Sequence, residues 1–524
     1  MYILNRYEID WKFYTLPVLV GILAGFGSVV FRKLIVLIEN LFFKGNLNFD
    51  ANPLEPLTSI WGNWIFIVPA IGFFFVGILV IRGAPEAKGH GVPEVMAAVF
   101  TNKGRIRSRV AAIKIIASAL CIGSGGSCGS EGPIVQIGSS IGSSLGQKLK
   151  LSGTEVITLV GCGAAAGIAA NFNSPIGGVL FAIELILPEF SVHTLVPLAL
   201  STSTATYISR YFYGIEPAFS VPNYALGSGY ELILYVVLGF AIGVVAIIYI
   251  KAVYGFEDLF DEWGVNPYLK PVVGGLLVGL TGLALYKVFG NYYIFGVGYS
   301  TITDVLSGRS EMGLFLLLVL VFVKIFATSV TLGSGGSGGI FAPALYMGAC
   351  FGGAFGIIFN WIFPGIVSTP TAYANVGMGA IVGGLMGAPL TAIIMFFEMT
   401  RDYSIILPLT ISVVICRAFV HYHHEGTIYE IKLFRKGIKV PHERAIDMLS
   451  LMPIKDAMVP YDEEKSGLPT IYHYSSLQEA LIMMNERKEN ELLAIDKSGD
   501  PIGIIKKDDI VYLYTSEKSR LRKS

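Results

Sequence analysis

Over the 73 residues from Ile325 to Phe397 the chain has no Asp, Glu, Lys, Arg or His. A soluble fold is excluded for that stretch, since about a quarter of a typical soluble sequence is charged. Charge is scarce overall: 15% of residues, against 53% hydrophobic, with a mean hydropathy of +0.63. It is also uneven, because 33 of the 76 charged residues fall in the last 100. The formal net charge is zero, so nucleic acid is not expected as a partner. The five cysteines, Cys121, Cys128, Cys162, Cys350 and Cys416, form no CxxC pair and sit in apolar or Gly-rich stretches. That argues against disulfide or metal chemistry and for small packing side chains. His421, His423 and His424 have no carboxylate arrangement beside them and read as a solvated helix end, so no metal is expected. No HExxH and no nucleophile with His and Asp partners is present, and no enzyme is expected. The opening MYILNRYEIDWKFYTLP lacks a short apolar core with a small-residue cleavage site, so no removable signal peptide is expected.

What is present are charge-free runs of membrane length. About 20 apolar residues cross a hydrocarbon core of roughly 30 Å, and Trp61–Ile81 and Leu232–Ile250 are clear examples. Ile325–Phe397 is too long for one span and is broken repeatedly by Gly and Pro. Backbone freed by such breaks must be satisfied away from lipid, which predicts segments buried in protein or lining a polar cavity. The basic cluster Lys103, Arg105, Arg107, Arg109 marks a cytoplasmic loop by the positive-inside rule.

The chain also repeats itself. GSGGSCGSEGP at Gly123–Pro133 and GSGGSGGIFAP at Gly333–Pro343 are identical in seven of eleven columns, 210 residues apart. VGCGAAAG at Val160–Gly167 returns as VGMGAIVG at Val376–Gly383, and Pro175 and Pro389 each stand nine residues before a glutamate, Glu184 and Glu398. Matched breaks in two halves point to a transport site between them. A Gly-rich turn entering a helix gathers unpaired N–H groups at the positive end of the helix dipole, an anion site without a cation. Conduction needs binding that is favourable but weak, which suits partial charges better than a full Lys or Arg. Pro133 and Pro343 fit a helix's first turn. Neither copy has the GxxxxGK[ST] arrangement of a phosphate loop. Flexible linkers or helix-packing surfaces are the alternative for such strings.

The copies differ where Glu131 faces Phe341. A carboxylate among anion-binding amides competes with the permeating anion, blocking when ionised and leaving when protonated. It is thus a gate, a proton carrier or both; a helix-capping carboxylate is the structural alternative.

These residues resemble the CLC family of chloride channels and chloride/proton exchangers. GSEGP at Gly129–Pro133 is similar to the family's GREGP gate motif and GIFAP at Gly339–Pro343 to its GxFxP motif; KGHGVPE at Lys88–Glu94 looks like GSGIP, and Tyr429 falls at the pore tyrosine. The resemblance implies an all-α multi-pass membrane protein over residues 1–436, with two inverted repeats (roughly 10–200 and 225–425) and broken, re-entrant helices. It implies a homodimer in lipid with one anion pathway per subunit, in the plasma membrane with cytoplasmic termini. Carried over by position, the resemblance implies that the Ile340 and Phe341 amides, the Tyr429 hydroxyl and Gly89, His90 and Gly91 bind the anion. Glu131 is the gate, on the backbone of Gly129, Ser130, Gly132 and Pro133. Chloride is the implied ligand, protons the possible second ion, and no cofactor is implied.

Three departures bear on mechanism. His90 replaces the serine that faces the ion, which bears on anion preference. Leu185 stands where many exchangers carry an internal proton-relaying glutamate, as in channel members, and a leucine carries no proton. Ser130 replaces an arginine beside the gate. The expected function is therefore a passive chloride channel gated by Glu131, with a chloride/proton antiporter as the alternative and a membrane-anchored sensor without flux as a remote one.

The polar end reads as a linker (437–452), a small α/β unit (453–514) and a basic tail (515–524). Leu468–Tyr472 and Glu491–Asp496 read as strands, Ser476–Arg487 as a helix, and Gly503–Val511 as a strand entering a helix. This resembles a single CBS motif, with Ile454–Val459 as its lead-in; such motifs pair, which suggests pairing across a dimer. Gly503, Lys506 and Asp509 occupy a GxxTxxD pattern without its Thr, so nucleotide binding is doubtful.

Overall fold

The computed structural model describes residues 11–50, 57–188, 192–219, 221, 228–309, 312–438, 452–461, 467–496 and 498–521. The expected linker lies almost wholly outside the described residues, as do the first ten residues and the last three of the basic tail. The chain forms two compact units, Met1–Val440 and Pro441–Ser524.

The first unit is helical. Eight helices among the described residues are long and apolar enough to cross a membrane, including Trp11–Lys44, Gly62–Gly83 and Glu231–Glu262. The charge-free stretch divides as its Gly and Pro residues dictate. The helix Leu314–Gly333 ends at the Gly-rich turn, and Phe341–Ile362 and Pro370–Met386 follow. Gly387, at φ +73°, stops the chain just before Pro389 opens a helix of 12 residues, too short to span.

The same helix order occurs twice. Arg109–Gly123, Glu131–Lys148, Gly153–Phe172 and the short Pro175–Phe181 correspond to Leu314–Gly333, Phe341–Ile362, Pro370–Met386 and Pro389–Thr400. Within each copy the second and third helices cross at glycines: a Cβ on Gly138 or Gly163 would run into the other's carbonyl, and Gly348 and Gly377 stand in the same relation.

The copies are inverted. Gly129 and Gly339, equivalent positions, pair antiparallel and exchange N–H···O bonds of 2.7 and 2.6 Å. A residue paired antiparallel with its own counterpart requires a local two-fold axis between them. The hydroxyl contacts Ser118–Ser337 (2.9 Å) and Ser127–Thr328 (3.5 Å) are images of each other about that axis. Each repeat also caps the other. Glu184 accepts from the N–H groups of Leu390 and Thr391 at 3.2 and 2.7 Å. Glu398 accepts from those of Ile176 and Gly177 at 3.2 and 2.8 Å. The matched glutamates are thus reciprocal caps on the two short helices.

The second unit is a four-stranded sheet in the order Met458–Pro460, Pro501–Lys506, Glu491–Ile495, Thr470–Tyr472. The Thr470–Tyr472 and Glu491–Ile495 strands are parallel, as the intervening helix Leu477–Arg487 allows. A capping box of Ser476 and Glu479 opens that helix. Buried Ile454, Leu477, Met484, Leu492, Ile505 and Ile510 form the core. Strand Met458–Pro460 goes beyond the sequence reading, which treated Ile454–Val459 as a lead-in; it pairs antiparallel with Gly503–Ile505.

Candidate anion site and gate

Three Gly-rich turns meet at the centre of the membrane unit. The turn at Gly89 docks on the second repeat: its N–H donates to the Gly336 carbonyl at 3.0 Å and its carbonyl accepts from Gly338 at 3.3 Å. Gly129 and Gly339 bridge the other two turns. The helices Val92–Asn102, Glu131–Lys148 and Phe341–Ile362 therefore all begin beside this junction. Gly132 is where backbones come closest, for a Cβ there would collide with the His90 carbonyl and lie 3.3 Å from the Gly339 Cα.

Glu131 is 1% exposed. Its Oε2 accepts from the Ala342 N–H at 3.4 Å, in the first turn of the opposite repeat's helix, and its Oε1 accepts from the Tyr299 hydroxyl at 2.8 Å. The carboxylate of one repeat thus occupies the helix N-terminus of the other. Tyr249 donates to the Ile340 carbonyl at 3.4 Å and helps orient that peptide. Phe341 packs on Phe172 with ring centroids 5.1 Å apart.

Tyr429 is buried on the helix Ile428–Arg435, which a capping box of Thr427 and Glu430 opens. Its hydroxyl is 3.8 Å from the Met386 sulfur, and its ring lies 6.2 Å from that of His90. His90 is buried, and its Nδ1 has no hydrogen-bond partner among the described residues. Ser130 leans towards Asn171, 3.5 Å away.

Leu185 is not at this junction. It is buried in the turn Ala182–Ile186, which packs against the helix Val92–Asn102, and it belongs to the apolar core. The other predicted residues do converge: Gly89–Gly91, Gly129–Pro133, Ile340 and Phe341 share the junction, and Tyr429 reaches it through His90.

Several participants escaped the sequence reading. Lys114 is buried and donates to the carbonyls of Ala87 and Gly89 at 2.9 and 2.8 Å. Lys324, its counterpart 210 residues on, donates to those of Ile294 and Gly296 at 3.2 and 3.3 Å. The shared offset with the Gly-rich strings was the available signal. Tyr249 and Tyr299 carried none that composition could separate from packing.

Fold and site together define an integral membrane protein of inverted-repeat architecture, with a carboxylate held at intramembrane helix N-termini. Residues 72–421 match the family model described as voltage gated chloride channel, and the chain belongs to that family, the CLC proteins. It is 32% identical over 374 residues to a Ralstonia nicotianae protein named putative chloride channel protein ClcB-like, a match covering 70% of this chain and 85% of that one. It is 33% identical over 404 residues to the Vibrio cholerae H(+)/Cl(-) exchange transporter ClcA, covering 76% and 84%. Among solved structures it is similar to a slow cyanobacterial Cl-/H+ antiporter, with a TM-score of 0.72 and 26% identity over 81% of this chain and 98% of that one. Exchangers figure prominently among these names, whereas the sequence reading placed a passive channel first.

Proposed function

We propose that the protein exchanges chloride for protons across a membrane. The observation that carries this is the seat of Glu131, an anionic side chain standing at the N-terminus of the Phe341–Ile362 helix, where a chloride ion would be bound. Chloride and the carboxylate then compete for the same donors, so protonation of Glu131 and chloride entry are linked events. Gly129 and Gly339 hold the two turns together, and the amides of Ile340 and Phe341 with the Tyr429 hydroxyl act as weak, neutral donors to the ion. His90 offers a further ring nitrogen.

Leu185 cannot relay a proton, so water carries protons to Glu131 in this reading. The exchanger names among the relatives and the solved neighbour favour coupling over passive conduction. The unit of function is a homodimer with one pathway per subunit, and the tail unit pairs across it as a structural or gating element.

Chloride efflux from proteoliposomes with simultaneous pH recording tests the proposal. Proton uptake locked to chloride efflux is expected. Chloride movement without proton movement refutes exchange and restores the passive channel, and no flux at all leaves the sensor reading.

A further inference from the structure

The two repeats contain a second pair of matched turns that short-motif comparison overlooks. KGHGV at Lys88–Val92 and FGVGY at Phe295–Tyr299 share only their two glycines, yet their backbones agree. Gly89 and Gly91 have φ of +74° and +85°, and Gly296 and Gly298 have +63° and +88°. Each turn is held by the equivalent buried lysine, Lys114 or Lys324, through the equivalent pair of carbonyls. Each leads directly into a helix, Val92–Asn102 or Tyr299–Leu306.

The uses differ. The first turn docks on Gly336 and Gly338. The second ends in Tyr299, whose hydroxyl reaches the gate carboxylate at 2.8 Å. Phe219 braces the Tyr299 ring edge-on, with centroids 5.5 Å apart and planes at 82°. A lysine clamp, two left-handed glycines and an aromatic brace together fix the hydroxyl's position, so its contact with Glu131 is built into the fold.

We infer that Tyr299 is the latch of the Glu131 gate, a positioning residue that holds the carboxylate in its seat and sets how often chloride passes. The inference rests on the exchange reading above and assigns the second repeat's glycine turn a role in that cycle. A phenol O–H donates most strongly to an ionised carboxylate and less to a protonated one. The latch therefore favours the closed, charged state and weakens once a proton arrives. Without it, the carboxylate leaves its seat unprotonated and chloride slips through uncoupled.

Tyr299→Phe keeps the ring and removes only the hydroxyl. Hydrogen bonds to charged groups are strong enough that chloride turnover in proteoliposomes should rise roughly tenfold or more, with fewer protons moved per chloride. The same substitution made in a Glu131→Ala background should change turnover less than about twofold, because the latch has nothing to hold. Wild-type turnover and stoichiometry in Tyr299→Phe overturn the inference. So does an equal rise in the Glu131→Ala background, which would mark a general packing effect. If Tyr299→Phe does not fold, Phe219→Leu loosens the brace and should shift both readouts the same way by a smaller factor; no shift there overturns the inference too. A wild-type protein that moves no protons would remove exchange, while the turnover comparisons would still decide the latch.

Discussion

Substituting the reciprocal caps tests the inverted repeat where its chemistry is most symmetric. Glu398 accepts from the Ser174 hydroxyl at 2.5 Å and from the N–H groups of Gly177 and Ile176 at 2.8 and 3.2 Å. Glu184 accepts from the Thr391 N–H and hydroxyl, both at 2.7 Å, and from the Leu390 N–H at 3.2 Å. A glutamine in either place keeps one acceptor oxygen and turns an NH2 group towards donors. At least one charge-assisted bond is lost, about 1.5–3 kcal/mol. The favourable term between a negative charge and a helix N-terminus, about 0.3–1 kcal/mol, goes with it. Each single substitution should therefore cost about 2–4 kcal/mol. In a unit of this size, at about 1 °C per kcal/mol, that lowers the thermal midpoint by roughly 2–4 °C. The assay is the loss of the folded elution peak of detergent-solubilised protein after brief heating, compared at one heating rate because unfolding of such proteins is commonly irreversible. Glu398→Gln and Glu184→Gln should fall by similar amounts. An unchanged midpoint in either, or a large drop in one alone, refutes the claim that the two caps are equivalent.

Gly132→Ala places a methyl group against the His90 carbonyl and near the Gly339 backbone, so chloride flux should fall at least about tenfold, as expected for overpacking of a rigid junction; flux near wild type would refute that close approach. His90→Ser removes a buried ring nitrogen that has no partner among the described residues. The ratio of chloride to nitrate transport should change by about twofold or more, and an unchanged ratio removes His90 from the ion's surroundings. In the tail unit, backbone N–H groups of Asp500, then Ser498, hold the Asp496 carboxyl below its ordinary value. A lowered folded value means that this turn adds stability above the unfolded carboxyl's range and loses it as pH falls below about 4. Proteolysis of the tail in full-length protein should quicken over that window, and less so in Asp496→Asn; equal acid sensitivity in the two would refute the assignment.

Membrane class was legible because a stretch such as Ile325–Phe397 leaves no soluble alternative, and the duplication was legible because Gly123–Pro133 and Gly333–Pro343 are near copies. Glu131 stood out as a carboxylate in an otherwise neutral string, and the structure buries it against the helix start of the other repeat. Tyr299 was not, since FGVGY and KGHGV share only two letters and the likeness lies in positive φ angles. Lys114 and Lys324 were visible as residues but not as clamps, because what they grip are backbone carbonyls, which every sequence has. The strand Met458–Pro460 was missed for a related reason: three residues carry no period, and only pairing with Gly503–Ile505 makes them a strand.

By itself, then, the chain's alphabet settled membrane residence, twofold repetition and the identity of the acid between the repeats. These depend on transfer energies and local helix-end chemistry, which are properties of short segments. Which helix end receives that acid, which turn contributes the phenol opposite it and how Glu184 and Glu398 cross over to cap each other's repeat were decided only by the inverted packing. A two-fold axis brings together residues some 170 to 220 positions apart, and no local pattern records partners at that distance.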